Sequence, residues 1–420
     1  MIDWKEIRLK QLIEEVGDGG TPSTFDPNNF GKGIPWVVVE DIKPEISSTK
    51  GELTEKGLNS CSAKKWPIGS IILSTGATIG EVGIARVELC TKQGITGIIP
   101  NDYADNLFLR FWFEQNKQQL IRYAQGTTFK EIRPRTLGNL RIKVPKPFTE
   151  ESVVEQCKIA SILTKVDNAI QAVKNTIEKA ERLKKSLMQN LLTGKLKPDG
   201  TRRTDDEFYE DEKFGKIPVG WLIDKGIKLT SKITKGQSPN WQGFKYQTSG
   251  LLFITSENIR NSYLDLNPIK YLPMEFNNKI KNSQLQENDI LFNIVGASIA
   301  RSCIYNLSNV VANINQAVCL LRFKSEYEPR YFLYYLQLND TINRLLSGQV
   351  ETARANLALG DFRKFRFVYP ANKTEQEAIA NKIYSAEKII ITKQQKIQKL
   401  ERIKKSLMQN LLTGKVRVKI

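Results

Sequence analysis

The chain has 420 residues, 40% of them hydrophobic, enough for two or three domains with their own cores. Its 63 Lys+Arg stand against 45 Asp+Glu, a net charge of +18 that points to a polyanionic partner, either nucleic acid or an anionic membrane surface. Histidine is absent, which excludes His-dependent triads, His-Glu-x-x-His zinc sites and histidine general bases.

In chain order, Met1-Ile2-Asp3-Trp4-Lys5-Glu6 lacks the apolar core of a signal peptide. No later run approaches the roughly 18 apolar residues of a membrane span. Asp26-Pro27-Asn28-Asn29-Phe30 reads as an ordinary turn. It lacks the second proline of the Asp-Pro-Pro-Tyr/Phe loop of amino-methyltransferases, and no glycine-rich cofactor loop precedes it. Residues 34–42, Ile-Pro-Trp-Val-Val-Val-Glu-Asp-Ile, predict a buried strand with its exit turn, and residues 69–79 predict a second strand. An aromatic-rich helix follows at Leu107–Phe113, then a loop over 126–135 and a strand ending at Pro145.

From Val154 onward apolar residues fall at Ile159, Leu163, Val166, Ile170, Val173, Ile177, Ala180, Leu187 and Leu191. Steps of three and four, with one of seven past Lys184, mark the seam of a coiled coil. Gly194 sits where such a helix stops. The polar segment 197–220 reads as an exposed linker.

The second half repeats this order. Strands are predicted at 251–259 and 288–299, an aromatic helix at Tyr331–Leu336, a loop at 348–356 and a strand ending at Pro370. A second heptad stripe runs through Ile379, Ile383, Ala386, Ile390, Ile397, Leu400, Leu407 and Leu411, interrupted at Lys393 and stopped at Gly414. Residues 179–195 recur at 399–415 with only Ala180/Leu400 and Leu183/Ile403 differing, an offset of 220 positions (404 − 184). A lone stripe of this kind cannot bury itself. Two in one chain most simply pair with each other, antiparallel because the intervening domain turns the chain back; packing of each helix on its own domain is the alternative.

Catalytic motifs fail on inspection. Gly31-Lys32 and Gly194-Lys195 lack the upstream glycine of a phosphate-cradling loop. Pro198-Asp199 with Asp211-Glu212-Lys213 imitates a nuclease signature, but in a segment without strand pattern. Cys61, Cys90, Cys157, Cys303 and Cys319 show no metal-site spacing, and buried thiols in a reducing cytoplasm are expected. What remains is a binding pattern. Polar and basic side chains in glycine-punctuated loops suit phosphate oxygens and base edges. The candidates are Thr75, Thr78, Gln93, Thr128, Lys130, Arg133 and Arg135 in the first half. In the second they are Gln237, Asn293, Ser298, Arg301, Asn315, Gln316, Arg354 and Asn356.

This order resembles the specificity subunit of a type I restriction–modification system over essentially the whole chain. The carriers are the twin Lys-Lys-Ser-Leu-Met-Gln-Asn-Leu-Leu-Thr-Gly-Lys helix ends, Phe214-Gly215-Lys216-Ile217-Pro218-Val219-Gly220-Trp221, and a proline followed by Glu-Gln at each helix start (Pro147 with Glu155-Gln156, Pro370 with Glu375-Gln376). The first of these starts is longer than the family's compact form. The resemblance implies an α+β fold with an internal pseudo-two-fold repeat: two similar mixed α/β target recognition domains, 1–148 and 221–371, separated by two long antiparallel coiled-coil helices, 149–196 and 372–415. Each domain would read one half of a bipartite duplex DNA site. The helices would dock two modification (methyltransferase) subunits, and through them the motor–nuclease restriction subunits. Lys184, Lys185, Met188, Gln189, Asn190, Lys404, Lys405, Met408, Gln409 and Asn410 are the candidate docking residues. S-adenosylmethionine, ATP and magnesium would bind those partners and not this chain, which would be non-catalytic and cytoplasmic, away from any membrane. A stand-alone nuclease or methyltransferase, or a coiled-coil assembly protein that reads no DNA, are the competing classes.

Overall fold

The computed structural model describes residues 4–76, 78–124, 131–347 and 356–419. It divides into two compact units, each drawing on both halves of the chain: Met1–Asn175 with Gln394–Ile420, and Thr176–Lys393.

In the first unit the strand Trp4–Arg8 pairs antiparallel with Arg141–Pro145, Trp4 opposite Pro145, so the domain's first and last strands close on each other. Between them lies a five-stranded sheet in the order Ile13–Asp18, Ile95–Pro100, Ile71–Ser74, Val82–Ala85, Glu45–Ile46. A three-stranded sheet places Phe30–Val37 between Gly51–Leu53 and Cys90–Thr91. The second unit repeats the plan. Trp221–Lys225 pairs with Arg366–Pro370, Trp221 opposite Pro370. A four-stranded sheet runs Thr230–Lys235, Val318–Phe323, Ile290–Asn293, Ser302–Ile304, and Leu251–Ile254 lies between Tyr271–Leu272 and Ala312–Ile314. Ile71-Ile72-Leu73-Ser74 and Ile290-Leu291-Phe292-Asn293 are buried at every position, which is why these strands read as continuous apolar runs without alternation.

The strand and exit turn expected over 34–42 are the end of the strand Phe30–Val37 and a 3₁₀ turn over Val39–Asp41. Buried Asp41 accepts from the Val38 N–H at 3.1 Å and so caps that turn. Asn258 does the same after Leu251–Ile254, accepting from the Thr255 N–H at 2.9 Å. A side-chain oxygen that meets a free backbone donor ends each strand.

The long helices span Glu150–Leu191 and Lys373–Leu411. In the first unit Ile159, Ala160 and Leu163, near the start of the first helix, share a core with Met408, Leu411 and Leu412 at the end of the second. In the second unit Ile379, Ala380 and Ile383 share a core with Met188, Leu191 and Leu192. The pairing is therefore antiparallel. It is not a bare two-helix seam, because the domain's aromatic helix completes each core: Phe108, Phe111 and Trp112 in one unit, Tyr331, Phe332 and Tyr334 in the other. The two packing arrangements open to the stripes are combined. At about 1.5–3 kcal/mol for each large apolar side chain fully buried, these shared cores hold the helices to the domains strongly.

The segment read as an exposed linker contains a β-hairpin, Phe208–Asp211 with Gly215–Pro218, whose Ile217 is buried. Asp211 accepts from the backbone N–H groups of Lys213 and Phe214, both at 2.9 Å, so its carboxylate shapes the turn. All five thiols are free. Cys90, Cys303 and Cys319 are buried, and burial pushes Cys90 and Cys303 up to about 12. Cys157 departs from the expectation of burial: it is exposed.

Candidate nucleic-acid interface and helix signature

The sheets bring part of the predicted reading surface together. Gly19, which ends the strand Ile13–Asp18, donates its N–H to the Ile95 carbonyl at 3.0 Å, and Gly20 donates to Thr91 at 2.9 Å. A side chain at Gly19 would sit 2.2 Å from the Thr91 carbonyl oxygen, so only glycine lets this loop lie against the turn that carries Gln93. Beside it opens a polar cleft of ≈ 600 Å³ lined by Asp18, Thr21, Ser62, Gln93, Glu131 and Arg133 among others. Gln93 and Arg133 are exposed there. Donors and carboxylate acceptors thus face one space, the mixture that reads base edges.

The second unit builds the same turn. Gly236 donates to the Val318 carbonyl at 3.4 Å, as Gly19 does to Ile95. The Ile294 N–H donates to Ala317 at 3.0 Å, as Thr75 donates to Gly94 at 2.8 Å. Exposed Gln316 therefore occupies the position of Gln93, one residue before these acceptors. Gln237, Arg301 and Asn356 are exposed as well, and Ser298 and Asn315 are half-buried. Thr78 and Arg135 of the first unit are exposed.

Two candidates are corrected. Thr75 is fully buried and its hydroxyl is 2.9 Å from that of Thr96, which donates to Asp18 at 2.6 Å; it supports the cleft from beneath. Asn293 is also fully buried, donating to the Ser256 carbonyl at 2.9 Å and the Ser298 hydroxyl at 3.2 Å. Asn293 is the last residue of one inner strand and Thr75 the first residue after another, where the sheet covers them. Thr128, Lys130 and Arg354 lie outside the described residues.

The helix signature is corrected more deeply. Lys184 pairs with Glu387 and donates to Ser262 at 3.2 Å, while the Tyr334 hydroxyl donates to Glu387 at 2.9 Å. Burial, with the Glu387 carboxylate beside it, pushes the Tyr334 phenol well up. Lys404 pairs with Asp167 at 2.7 Å and with Glu114, and lies 5.4 Å from the Phe111 ring, as Lys184 lies 5.6 Å from Tyr334. Lys404 and Lys184, like Glu387 and Asp167, are 220 positions apart (387 − 167), so one contact is made twice, reciprocally. Met188 and Met408 are buried in the cores. Asn190 is half-buried and donates to the Ser186 carbonyl at 2.8 Å; Asn410 is half-buried too. Lys184, Lys404, Met188 and Met408 thus spend their side chains on contacts within their own units. Lys185, Gln189, Lys405 and Gln409 are exposed, and the last two line a cleft of ≈ 1040 Å³ in the first unit.

The Glu-Gln pair at each helix start has a duplicated role that its spacing did not disclose. Gln156 accepts from the Asp105 N–H at 3.0 Å and donates to the Tyr103 carbonyl at 3.1 Å; Gln376 accepts from Glu328 N–H at 3.0 Å and donates to Pro370 at 2.8 Å. Glu155 holds Arg417 through two bonds of 2.5 Å, and Glu375 holds Arg203 at 2.5 Å. The Glu155 carboxylate keeps the Arg417 guanidinium protonated still higher than usual. In both units an arginine that follows the end of one long helix clamps the start of the other.

Twin sheet domains with exposed polar turns, tied to antiparallel helices by reciprocal clamps, define a two-headed recognition protein. The chain belongs to the type I restriction modification DNA specificity domain family, whose model matches residues 1–182 and again 231–402. It is 26% identical over 432 residues to the type I restriction enzyme MjaIX specificity subunit of Methanocaldococcus jannaschii, covering 99% of this chain and 94% of that protein. It is 23% identical to the EcoBI specificity subunit of Escherichia coli over 90% of this chain and 78% of that one. The fold is that of the type I restriction–modification S subunit from M. genitalium, with a TM-score of 0.60 at 14% identity over 98% of this chain and 96% of the other. A second solved chain, from work on complex assembly and conformational transition of the type I system, aligns with a TM-score of 0.55 at 16% identity over 99% of this chain and all of that one. The chain's role in such a system is DNA specificity, not catalysis. Among the described residues no helix is long and apolar enough to cross a membrane, and no group of His, Cys, Asp and Glu is placed to hold a metal.

Proposed function

We propose that each domain reads one half of a bipartite duplex DNA site, and that the paired helices set the spacer between the halves. The observation that carries this reading is the duplication itself. The turn bearing Gln93 recurs at Gln316 on a matching sheet, while the residues around the two turns differ, Glu131 at one and Asn356 at the other. Alike frames with unlike surfaces suit two different half-sites, much as paired reading modules fix half-site spacing in other DNA-binding proteins. The net charge of +18 supplies the attraction to phosphate.

The exposed helix positions Lys185 and Gln189, repeated at Lys405 and Gln409, support docking of two copies of one partner. That partner is the methyltransferase subunit, through which restriction subunits join. S-adenosylmethionine, ATP and magnesium belong to those subunits, and the assembly works in the cytoplasm. The decisive experiment is methylome sequencing of cells expressing this chain with its modification partner. A two-part motif with an unspecified spacer is expected; a continuous palindrome overturns the reading.

A further inference from the structure

Among the described residues the two most exposed large apolar side chains are Phe25, at 98%, and Trp241, at 83%. One lies in each unit, and both lie on the same loop. That loop leaves the strand Ile13–Asp18 through Gly19-Gly20-Thr21-Pro22, and leaves Thr230–Lys235 through Gly236-Gln237-Ser238-Pro239. The aromatic residue follows the proline by three positions in the first loop and by two in the second.

Neither loop is slack. In the first, Gly19 and Gly20 are bonded to Ile95 and Thr91. The Asn29 side chain donates to the Ser23 carbonyl at 3.0 Å, Asp26 accepts from the Asn28 N–H at 3.0 Å, and Lys56 pairs with Asp26 at 2.7 Å. In the second, the Gln242 and Phe244 N–H groups donate to the Pro239 carbonyl at 3.0 and 2.9 Å, and Phe244 packs on Phe276 with ring centroids 5.4 Å apart. A loop tied down on both sides, with an aromatic ring held in water at its tip, leaves exposed the area that burial would stabilise most. Retention of this feature at both copies of one loop is what a contact with a common partner requires.

The surroundings identify that partner. The loop runs against the turn bearing Gln93 in one unit and against that bearing Gln316 in the other, and basic residues flank it: Lys92 and Arg133, and Lys235 and Lys245. Aromatic rings on loops that start beside amides and cations fit nucleic acid. The ring covers a thymine methyl or wedges between base steps, while the cations hold phosphate.

We infer that Phe25 and Trp241 are a duplicated pair of DNA-contacting rings, one for each half-site. This rests on the proposed DNA-reading function and adds its apolar element. The test is binding of full-length chain to a labelled duplex carrying its methylated motif, over a series of salt concentrations. F25A and W241A should each weaken binding by roughly ten-fold, the size expected for losing one good base contact. The slope of log K against log salt should not change, because no phosphate contact is lost; R133A, the control, should lower that slope by about one. Trp241 is the most exposed of the chain's six tryptophans, so the duplex should protect fluorescence from iodide quenching in the wild type and not in W241A. Both substitutions lie at loop tips and should leave Tm unchanged.

Wild-type binding in both variants, or Trp241 still fully quenchable in the complex, overturns the inference while the DNA-reading function stands. A wild-type chain that binds the duplex no better than heparin overturns that function and this inference with it. Loss of partner-subunit assembly with intact duplex binding assigns the rings to a protein contact and overturns the inference alone.

Discussion

Glu387→Gln should destabilise the second unit more than Asp167→Asn destabilises the first, although the two acids occupy the same place in the repeat. Glu387 is 9% exposed at its side chain and Lys184 is 17% exposed. Glutamine keeps the size and still accepts from Tyr334, but Lys184 is left with only Ser262 and the Tyr334 ring. Removing one partner of a buried pair costs ~3–5 kcal/mol; with partial exposure of the lysine, about 2–3 kcal/mol is expected here. In the first unit Asp167 shares its work. Lys404 also pairs with Glu114, and Arg110 bridges Glu114 at 3.1 Å and Asp167 at 3.0 Å. Two cations and two acids therefore form one neutral cluster, and with Asp167 at 21% exposure its loss should cost about 1 kcal/mol. Hydrogen exchange resolved by mass spectrometry reads the two units separately, which one global melting curve does not. Protection over residues 373–393 should fall in E387Q well beyond the fall over 394–411 in D167N. K184M/E387Q removes the stranded charge and should recover most of the loss. Equal effects in the two single variants, or a double variant weaker than E387Q, would refute the argument.

The helix stops and the exposed thiol supply two further tests. Gly194 and Gly414 adopt φ of +73° and +72°, and a Cβ there would lie 2.1 Å from Pro218 and 2.5 Å from the Trp4 ring, whereas Gly200, at +97°, has nothing within 4 Å. G200A should therefore cost only the strain of the left-handed backbone, about 1 kcal/mol, while G194A and G414A should lower urea midpoints by clearly more. Cys157 is exposed, yet partial burial and the Asp105 carboxylate push its thiol up to about 11. Its neutral form therefore dominates below that pH. Iodoacetamide labelling at Cys157 should rise about tenfold per pH unit from 7 to 10, and a plateau near pH 9 would contradict this.

The repeat, the order of elements and the helix limits were legible because each is written in local pattern: apolar runs, heptad spacing, glycine stops. What escaped is what depends on distant partners. Thr75 and Asn293 are polar residues before glycine-rich turns, and polarity alone does not separate a loop tip from the last covered residue of an inner strand. The hairpin of the supposed linker has four residues in each strand, too few for alternation to stand out from a charged segment. Lys184 and Lys404 stand in the sequence as candidate docking residues because their acids lie 203 and 237 positions away (387 − 184, 404 − 167). The 220-residue offset did hold a signal. Applied to Asp167 it reaches Glu387, another acid, and applied to Glu155-Gln156 it reaches Glu375-Gln376. Acids at one end of each copy and lysines at the other are what reciprocal pairing demands.

That reciprocity changes what the near-identity of 179–195 and 399–415 means. Sameness of the two copies suggests a shared partner, but half of it has an internal cause. Each copy must fit the other copy's domain, so Lys184 and Lys404 meet an acid and a ring, and Met188, Leu191 and Leu192 fill the pocket that Met408, Leu411 and Leu412 fill in the other unit. Exposed members, among them Lys185, Ser186 and Gln189 with Lys405, Ser406 and Gln409, owe nothing to these cores. Charge reversal there should separate the two causes. K185E/Q189E and K405E/Q409E should each fold with unchanged Tm, since surface changes of this kind stay within about 0.5 kcal/mol. In co-purification each should lose one of two bound modification subunits, and together both. If both variants retain two subunits, the exposed identity has some other origin, and the docking surface lies elsewhere on the helices.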